Sequence, residues 1–585
     1  MHRQRTPILV AVFALLLTVL SPAAAATAQA ANTVRTFEED AVGAVPAGCA
    51  APAGGTAAVV SDVRAAAGAH SLRLNDQSTA TTVGITCPDT ARQGVDLSFA
   101  AYPAQLTNGF SYSLLGHLEG IDTERSVLHL SVTPEGALRW YDGLGWTQLT
   151  PAGTVPVNEW STLRVQVPSS QEAAYLYVDD RYVGEAGSWG VRAVTDVTGF
   201  QITGNGTETA GDEVFVDDVS IGDAVDTPPA RTQPFTVGPD VTIATSDTHV
   251  QMPNTAVNVT VDGQQQTLVA YPTHGDANDV GGTGMAVSTD KGTTWSDAQS
   301  RNPMPEAHSY GMTKLANGDI LAVGYQTYMT PNSGERSAEV PTAISHDNGL
   351  TWTRRAGVMT TPEAMRPINN VTDRPGSPLG GFVLVHNVVQ NPDGSLLQSG
   401  YGYYANDTKF RQIVLRSTDG GVNWELLTTV AYDPGLSPEP RYEGFDEGAI
   451  ERTANGDLLI VMRTGSFQQM YSARSADDGA TWSAPEPVLA DSIPVTGIYP
   501  TLTRLASGEL ALWIGRPGQA LLVSRDGTGN SWTPPQTVDY RNSGNGTFVP
   551  VDDDHLLTFG DRGADWADPK PLESRVWSRL VTINR

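Results

Sequence analysis

One short pattern recurs through the second half of this chain: Ser288-Thr-Asp290-Lys-Gly292-Thr-Thr-Trp295. S-x-D-x-G-x-x-W returns in three further copies, and in a fourth that has one extra residue before its glycine: Ser345-His-Asp347-Asn-Gly349-Leu-Thr-Trp352, Ser417-Thr-Asp419-Gly-Gly421-Val-Asn-Trp424, Ser475-Ala-Asp477-Asp-Gly479-Ala-Thr-Trp482 and Ser524-Arg-Asp526-Gly-Thr-Gly529-Asn-Ser-Trp532. An aspartate can accept hydrogen bonds from turn N–H groups, a glycine can adopt positive φ, and a tryptophan can cover the turn with apolar surface. The pattern therefore predicts a repeated hairpin turn whose residues are structural and not catalytic.

A second repeat, a tight turn followed by an apolar strand, runs ahead of the first. Six copies occur: Asp262-Gly263 to Tyr271, Asn317-Gly318 to Tyr325, Asp393-Gly394 to Tyr401, Asn455-Gly456 to Arg463, Ser507-Gly508 to Ile514 and Asp552-Asp553 to Phe559. Each unit thus supplies two strands around this turn and two around the S-x-D turn. Four-stranded sheets arranged radially form a propeller, in which neighbouring blades bury faces that no blade could bury alone. The sequence predicts an all-β protein whose residues 235–585 form a six-bladed β-propeller.

The end of the chain predicts how the ring closes. The sixth unit has no S-x-D turn after its strand. We therefore expect the last strand, Val576–Ile583, to complete the sixth sheet by pairing with a strand near Phe235–Ile243.

The composition excludes several classes of protein. The chain has 585 residues, with 36 Lys and Arg against 64 Asp and Glu, and a formal net charge of −28. Such a negative field repels nucleic acid and acidic membrane surfaces, so neither is expected as a partner. With 59 Gly, 38 Pro and only 17% charged residues, the composition is typical of a turn-rich globular protein and not of a helical bundle.

The N-terminus has the three-part layout of a secretory signal. Arg3 and Arg5 precede an apolar run, Ile8–Leu20, and small residues follow up to Ala30. We expect residues 1–30 to be removed and the mature protein to be secreted, since the run is too short to span a bilayer and no later segment is long enough. In an oxidising compartment the two cysteines, Cys49 and Cys87, are expected to form a disulfide.

A Pro-rich, aperiodic stretch at residues 225–234 is typical of an interdomain linker. It separates residues 31–224 from residues 235–585. The first part shows the alternation of half-buried strands, as in Ala174-Tyr-Leu-Tyr-Val178. With Phe37-Glu38-Glu39-Asp40 at its start and Val214-Phe-Val-Asp217-Asp218 at its end, it resembles the concanavalin- and laminin-G-like jelly-roll sandwiches that accompany secreted carbohydrate enzymes. We expect a β-sandwich that binds carbohydrate.

That resemblance implies a structural calcium ion between the first and last strands, with Glu38 and Asp218 as hard oxygen ligands. Solvated acidic turns are the alternative explanation for both residues. Several aromatic residues of this part could stack on sugars, or could instead belong to the sandwich core: Trp140, Tyr141, Trp146 and Trp189.

Aspartate-box repeats in a six-bladed propeller resemble the sialidase (neuraminidase) superfamily over residues 235–585. The segment from Phe445 to Arg463 is similar to the sialidase segment that carries a catalytic Glu and, one hairpin later, an arginine of the carboxylate-binding triad. The resemblance implies that Glu447 is the buried base and Arg463 a substrate clamp, with Asp446 beside them at the substrate. A structural salt bridge between adjacent strands is the alternative for Glu447 and Arg463.

The same resemblance implies two further roles. Arg516, in Gly515-Arg-Pro-Gly518, resembles the third triad arginine, and Asp276 lies where sialidases carry the acid/base Asp on a mobile loop. A solvated loop arginine and a carboxylate that only stabilises a turn are the alternatives. Arg366 is another guanidinium that could bind an anionic sugar in two-point fashion.

Two positions depart from the sialidase pattern. The family opens its first blade with Arg-Ile-Pro, whereas this chain has Gln251-Met-Pro253, so Gln251 takes the place of the first triad arginine. The nucleophilic Tyr would fall in residues 543–547, which contain none, and the nearest is Tyr540. These departures argue against standard sialidase chemistry and leave Asp276 or Asp561 as acid, with Glu447 as base or nucleophile.

A different chemistry is compatible with the same sequence. Histidines on or near the innermost strands, with tyrosines near them, could take the α-proton of a uronic acid whose carboxylate is neutralised by arginine. The candidates are His249, His308, His386, Tyr310, Tyr401, Tyr403 and Tyr404. Such a protein would be a polysaccharide lyase, and a non-catalytic glycan-binding propeller is a third hypothesis.

The favoured hypothesis is a secreted, monomeric, exo-acting glycoside hydrolase. Its substrate would be a glycan with a terminal acidic sugar, because guanidinium groups recur among the candidate residues. The reaction would need no cofactor.

Overall fold

The computed structural model describes residues 32–143, 145–169, 173–187, 193–205, 209–224, 233–247, 249–275, 282–367, 380–540, 544–562 and 574–585. Within these ranges all regular structure is β, apart from one 3₁₀ turn at Gln299–Arg301. The all-β prediction is therefore confirmed. No helix in this part of the chain is long and apolar enough to cross a membrane. The expected signal peptide, Trp189 and Asp276 lie outside the described residues.

Within the described ranges, forty-two strands follow one another. The first fifteen are β1 Thr33–Arg35, β2 Thr56–Ala57, β3 Val59–Ser61, β4 Ser71–Asn75, β5 Val83–Arg92, β6 Val95–Gln105, β7 Phe110–Leu118, β8 Ile121–Val132, β9 Leu138–Tyr141, β10 Trp146–Gln148, β11 Ser161–Val167, β12 Ala174–Val178, β13 Arg181–Ala186, β14 Val194–Gly204 and β15 Glu213–Gly222. The others are β16 Phe235–Thr245, β17 Thr255–Val261, β18 Gln264–Pro272, β19 Thr283–Ser288, β20 Ser296–Asp297, β21 Tyr310–Lys314, β22 Ile320–Gly324, β23 Tyr328–Met329, β24 Ser337–Ser345, β25 Thr353–Thr360, β26 Phe382–Gln390, β27 Leu396–Gly402, β28 Arg411–Ser417, β29 Trp424–Ala431, β30 Asp446–Arg452, β31 Leu458–Arg463, β32 Tyr471–Ser475, β33 Glu486–Pro487, β34 Leu489–Ala490, β35 Ile493–Pro494, β36 Ile498–Arg504, β37 Leu510–Gly515, β38 Gln519–Ser524, β39 Gln536–Asp539, β40 Thr547–Pro550, β41 His555–Arg562 and β42 Arg575–Ile583.

The first fifteen strands form two sheets that share one apolar core. One sheet has the order β13-β12-β11-β6-β15-β4-β3, with β1 also on β15, and the other has the order β10-β9-β8-β7-β14-β5-β2. Phe99 of the first sheet meets Tyr112 of the second edge to face, with ring centroids 5.2 Å apart. Cys49 and Cys87 form the expected disulfide. Trp140 is 4% exposed in this core, which favours the core alternative over sugar stacking.

The later strands form six four-stranded antiparallel blades. In chain order, blades 1 to 6 comprise β17–β20; β21, β22, β24 and β25; β26–β29; β30–β33; β36–β39; and β40–β42 with β16. Blades 2 and 3 are also joined by a parallel pairing of their outermost strands, β25 and β29. Apolar clusters pack between neighbouring blades, as where Leu459 of blade 4 joins Leu510 of blade 5. The propeller predicted from the repeats is confirmed.

The ring closes through blade 6. Strand β16 pairs with β42, beginning at Phe235 opposite Ile583, which confirms the expected pairing of the last strand with a strand after the linker. The buried carboxylate of Asp539, at the end of β39 in blade 5, accepts hydrogen bonds from Arg562 Nη2 (2.8 Å) and Arg579 Nη2 (2.9 Å) of blade 6. Main-chain pairing therefore closes blade 6, and ion pairs hold blade 6 against blade 5.

The S-x-D turns connect neighbouring blades. In the first copy, Ser288 Oγ donates to Asp290 Oδ1 (2.9 Å), and the N–H of Gly292 donates to Ser288 Oγ (2.8 Å). Gly292 has a φ of +83°, and a Cβ there would lie 2.4 Å from Leu557 Cδ1 in the preceding blade. The other box glycines face a leucine of the preceding blade in the same way: Gly349 on Leu268, Gly421 on Leu321, Gly479 on Leu397 and Gly529 on Leu459. The structural role predicted for the repeat is confirmed.

The innermost strands of three consecutive blades carry bulges, in the middle of β26 and at the start of β30 and β36. The pairing register shifts in β26, β30 and β36. His386, Glu447 and Tyr499 have left-handed backbone at these bulges, with φ of 61°, 45° and 45°. Left-handed backbone is strained for residues with side chains, and bulges re-aim side chains, often at functional sites. The three bulges therefore mark where a site would be built.

Candidate active site

Glu447 lies at the bulge of β30, and both of its carboxylate oxygens are held. Oε1 accepts a hydrogen bond from Arg463 Nη1 on the adjacent strand β31 (2.9 Å). Oε2 accepts one from the backbone N–H of Tyr499 in blade 5 (2.9 Å). Because Tyr499 is left-handed, its N–H is aimed across to the neighbouring blade instead of along its own sheet. The structure thus brings the predicted Glu447–Arg463 pair into direct contact.

Arg463 lies among three acidic side chains. Its Nη2 donates to Glu443 Oε2 (2.7 Å), and its Nε lies 3.8 Å from Asp446 Oδ1. Burial alone would lower the pKa of Arg463, but the charges of Glu447, Asp446 and Glu443 raise it above its ordinary value. The guanidinium is therefore permanently charged and fixes the positions of the carboxylates around it.

Asp446 precedes Glu447 but has a different environment. Its residue is 1% exposed, and within the described residues its Oδ1 has no hydrogen-bond partner. Burial raises the pKa of Asp446 well above its ordinary value; the charge of Arg463 opposes this shift, and the charges of Glu447 and Glu443 add to it. Asp446 and Glu447 are therefore adjacent carboxyl groups in different surroundings: Asp446 is buried with an unpartnered Oδ1 among the described residues, and Glu447 is ion-paired.

Arg516 approaches the same place from blade 5. Its Nη1 donates to Ser466 Oγ (2.9 Å), the hydroxyl to which Arg463 Nη2 also donates (3.4 Å). Arg516 itself has left-handed backbone, with a φ of 46°, in the turn after β37. One carboxylate and two guanidinium groups, separated by up to 69 positions in the chain, thus meet at one rim of the propeller.

His386 and Tyr499 flank Glu447. His386 Nε2 donates to the Glu447 carbonyl oxygen (3.0 Å), and the rings of His386 and Tyr499 lie 4.5 Å apart. Burial lowers the pKa of His386 to about 4, so its imidazole is neutral near neutral pH. Burial and the charge of Glu447 raise the pKa of Tyr499 well above its ordinary value.

A second aromatic group extends across blades 1 to 3. The hydroxyls of Tyr325 and Tyr401 are 2.8 Å apart, and the ring of His308 lies 5.7 Å from Tyr325 and 4.4 Å from His274. Burial raises the pKa of Tyr401 well above its ordinary value, and the charges of Glu447 and Asp446 add to this shift. The negative charges of Glu447 and Asp446 therefore affect the pKa of a tyrosine in this second group.

The histidines and tyrosines of the lyase hypothesis do not all lie together in the candidate active site. His308, His386 and Tyr401 belong to the two groups just described. His249 is exposed, and the Tyr310 hydroxyl donates to Asn302 Oδ1 (2.8 Å). Two others lie beside arginines: Tyr403 under Arg366 and Tyr404 near Arg411.

Arg366 and Gln251 occupy contrasting positions. The guanidinium of Arg366 is exposed and lies 4.0 Å above the ring of Tyr403, which stacks on Phe410. Gln251 is buried, and its Nε2 donates to the carbonyl of His274 (2.7 Å). Direct contact of either residue with a substrate stays a prediction.

Tyr540 and Asp561 have structural contacts. The Tyr540 hydroxyl donates to Glu185 Oε2 in the sandwich (2.6 Å), and its ring meets Trp140. Tyr540 is thus held at the boundary between the sandwich and the propeller, and a nucleophilic role for it stays a hypothesis. Asp561 is fully buried, and its Oδ2 accepts the N–H of Met252 (2.7 Å), which has left-handed backbone.

The two carboxylates proposed as calcium ligands show no such arrangement. Glu38 Oε1 accepts the backbone N–H groups of His70 (2.8 Å) and Ala69 (2.9 Å), which lower the pKa of Glu38. Asp218 has left-handed backbone. Among the described residues, no three His, Cys, Asp or Glu side chains come together as metal ligands. These donors do not fit a calcium site built from side chains, and the ion stays a prediction.

Sequence reasoning did not identify Ser466 and Tyr499. Tyr499 could have been found by blade equivalence, because Ile498-Tyr499 in β36 occupies the place of Asp446-Glu447 in β30. Ser466 has no such signal, since it lies in the irregular segment after β31 and is identified only by the two arginines that share it.

Residues 370–545 match a family described as a BNR repeat-like domain. The match covers blades 3 to 5 and confirms the predicted resemblance to aspartate-box propellers. No curated protein matches the chain.

Several solved structures are similar to the chain at low identity. They include the NanB sialidase of Streptococcus pneumoniae (12% identity, 84% of this chain and 95% of that chain, TM-score 0.39), an α-L-arabinanase of Penicillium chrysogenum (15%, 60% and 99%, 0.42) and a protein of unknown function from Dyadobacter fermentans (16%, 60% and 100%, 0.45). These similarities are too low to assign an activity.

Proposed function

We propose that the protein is a secreted glycoside hydrolase that removes a terminal acidic sugar from a glycan, with Glu447 as base or nucleophile. The observation that carries this proposal is the convergence of Glu447, Arg463 and Arg516 from separate strands on one rim, at a strained bulge. Charged groups that are far apart in the chain, partly buried and held together in this way are typical of functional sites.

The charges of the site favour an anionic substrate group. Arg463 is held by Glu443 and Glu447, and Arg516 donates to Ser466. Arg366 adds a further cation nearby, since its charge and those of Asp446 and Glu443 all act on the pKa of Tyr403. Within the described residues Arg366 forms no ion pair, so a sugar carboxylate could be its partner.

The proposed reaction breaks the bond between the anomeric carbon and the leaving oxygen. A general acid protonates the leaving oxygen, and water adds at the anomeric carbon, either directly with Glu447 as base or after a covalent intermediate on Glu447. By resemblance the acid is Asp276. The held carboxylate of Glu447 supports either of its two roles, because a catalytic group fixed in position needs little reorganisation.

The test compares Glu447→Gln with wild type on sialosides, uronate-capped glycans and arabinose- or rhamnose-capped glycans, measuring the released sugar. We expect a loss of at least about 100-fold on one acidic glycan, because a removed acid/base group typically costs this much. Glu425→Gln, an exposed carboxylate in blade 3, is the matched control and should act like wild type. Equal turnover by Glu447→Gln would exclude Glu447 from the mechanism.

A lyase acting on uronic-acid glycans is the second candidate. The specific observation in its favour is the hydroxyl pair of Tyr325 and Tyr401, with the neutral imidazole of His386 beside Glu447. In β-elimination, a base takes the proton next to the uronate carboxylate and the glycosidic oxygen leaves, which creates a C=C bond. A product that absorbs ultraviolet light would select the lyase, and a saturated sugar would select the hydrolase.

A further inference from the structure

The bulge that carries Glu447 interrupts the main-chain ladder of its own blade. Between Asp446 and Ala449 the register of β30 against β31 shifts by one residue, so Glu447 and Gly448 share a single opposite residue. The extra residue of a bulge is left unpaired in the ladder. Both residues are buried, and buried main-chain N–H and C=O groups need partners. The bulge can therefore persist only if other parts of the protein supply those partners.

Side chains of blade 3 bind the main-chain groups at this bulge. Gln412 Oε1 accepts a hydrogen bond from the N–H of Gly448 (2.9 Å). His386 Nε2 donates to the carbonyl oxygen of Glu447 (3.0 Å). Gln412 belongs to β28 and His386 to β26, so both partners come from the neighbouring blade. The backbone that carries Glu447 is therefore held across the interface between blades 3 and 4.

The side-chain amide of Gln412 is fixed in one orientation. Gln412 is 0% exposed, and its Nε2 donates to Ser399 Oγ (2.8 Å) and to the carbonyl oxygen of Gly400 (2.8 Å). A carbonyl can only accept and a main-chain N–H can only donate, so Gly400 and Gly448 decide which amide atom faces which blade. Gln412 therefore presents a fixed acceptor oxygen to β30.

The glycine after Glu447 makes this approach possible. A Cβ on Gly448 would lie 2.6 Å from Gln412 Oε1, too close for any side chain. Gly448 does not have the positive φ of the turn glycines. The space taken by Gln412, and not the backbone conformation, therefore requires a glycine at this position.

We propose that Gln412 is a positioning residue for Glu447. By binding the N–H of Gly448, it fixes the backbone from which the Glu447 side chain reaches Arg463 and the N–H of Tyr499. This role rests on the proposed function, in which Glu447 is the base or nucleophile. Displacing a reacting group by about 1 Å can cost about 100-fold in rate. Gln412 acts through Glu447 and is not itself a catalytic residue.

The kinetic test uses Gln412→Met, which keeps a side chain of similar size and removes both hydrogen-bonding atoms. On the acidic glycan that the wild type cleaves, we expect kcat to fall by about 10- to 100-fold. KM should change little, because Arg463 and Arg516 are still present to bind the substrate. An unchanged kcat would overturn the proposal.

Asn391→Leu is the matched control. Asn391 is another buried amide of blade 3, 4% exposed, and it binds blade 4 at the opposite end of β30. Its Oδ1 accepts from Arg452 Nη2 (2.8 Å), and its Nδ2 donates to the carbonyl oxygen of Asp478 (3.2 Å). The control should lower stability and leave kcat unchanged. An equal loss of kcat in both variants would show that Gln412 only joins the two blades, and would overturn the proposal.

Hydrogen exchange of the full-length protein tests the positioning without a substrate. The N–H of Tyr499 lies in blade 5 and donates to Glu447 Oε2 (2.9 Å), so its protection reports the position of that carboxylate. In Gln412→Met this amide should exchange at least about 10-fold faster, as measured by mass spectrometry on residues 498–504, and in Asn391→Leu it should not. Unchanged exchange at Tyr499 in Gln412→Met would overturn the proposal. If the protein turns over no glycan, the proposed function fails, and this measurement still decides whether Gln412 positions Glu447.

Gly448→Ala keeps the proposal testable if Gln412→Met does not fold. Its methyl group would press on the same contact from β30. It should therefore reproduce both the lower kcat and the faster exchange at Tyr499. Wild-type values of both in Gly448→Ala would overturn the proposal.

Discussion

At the scale of single residues, the candidate site contrasts two adjacent carboxyl groups. Glu447 is paired with Arg463 and a backbone N–H, whereas Asp446 is buried with one oxygen that has no hydrogen-bond partner in the described residues. The bulge creates this contrast, because it places two consecutive side chains in different surroundings at the same strand end. The buried Asp446 carboxyl, whose pKa burial raises well above its ordinary value, therefore lies next to a carboxylate that is held by a guanidinium and a main-chain N–H.

We expect Asp446→Asn to become more stable relative to wild type as the pH rises from about 4 to about 7. In the unfolded chain Asp446 loses its proton near its ordinary pKa of 3.8, whereas in the folded protein it keeps the proton to higher pH. The unfolded state therefore binds fewer protons, and the stability of wild type falls with pH. Asparagine does not titrate. Urea unfolding of both proteins at several pH values checks this, and parallel curves would contradict it.

The sequence predicted the site residues to different degrees. The meeting of Glu447, Arg463 and Arg516 followed from their equivalent places in blades 4 and 5. Ser466 did not, because its position depends on an irregular segment whose path no pattern encodes. Tyr540 illustrates a further limit, since proximity along the chain to an expected nucleophile gave no information about its contact with the sandwich.

At the scale of elements, the aspartate-box turn is an interblade contact as well as a hairpin. Gly292 combines a φ of +83° with a Leu557 side chain where its Cβ would be. The motif predicted the positive φ but not the leucine, because the contact comes from the preceding blade. The bulges in β26, β30 and β36 were likewise not predicted, because the sequence patterns located these strands without giving their pairing register.

Gly292→Ala should reduce the free energy of unfolding by more than Gly263→Ala. Both glycines have nearly the same φ, +83° and +79°, but a Cβ at Gly263 has nothing within 4 Å. The control therefore carries the backbone strain alone, about 1 kcal/mol, while Gly292→Ala adds overpacking of about 1–3 kcal/mol. Chemical denaturation measures the difference. Equal losses would show that Leu557 moves aside freely.

At the scale of the whole molecule, the propeller is a ring whose last blade is shared by both ends of the domain. The missing sixth box predicted this closure, and the pairing of β16 with β42 confirms it. The ion pairs that accompany the pairing could not be predicted, because Asp539, Arg562 and Arg579 come from three strands of two blades.

Asp539→Asn should destabilise the protein by about 3 kcal/mol, because it leaves two partly buried guanidinium groups without their shared carboxylate. Asp553→Asn, an exposed carboxylate before β41, is the control and should change stability by less than about 0.5 kcal/mol. Urea unfolding midpoints of the two variants provide the comparison. A midpoint for Asp539→Asn equal to that of wild type would mean that these ion pairs do not stabilise the contact between blades 5 and 6.

The parallel pairing of β25 with β29 has a consequence for self-association. An outermost strand normally offers a row of unused N–H and C=O groups, onto which a strand of another molecule can be templated. Where Met359 and Thr360 lie opposite Trp424 and Glu425, two such rows satisfy each other. Fibril-like growth from this flank would first have to break those main-chain bonds, so the fused pair of blades protects the protein there from edge-to-edge polymerisation.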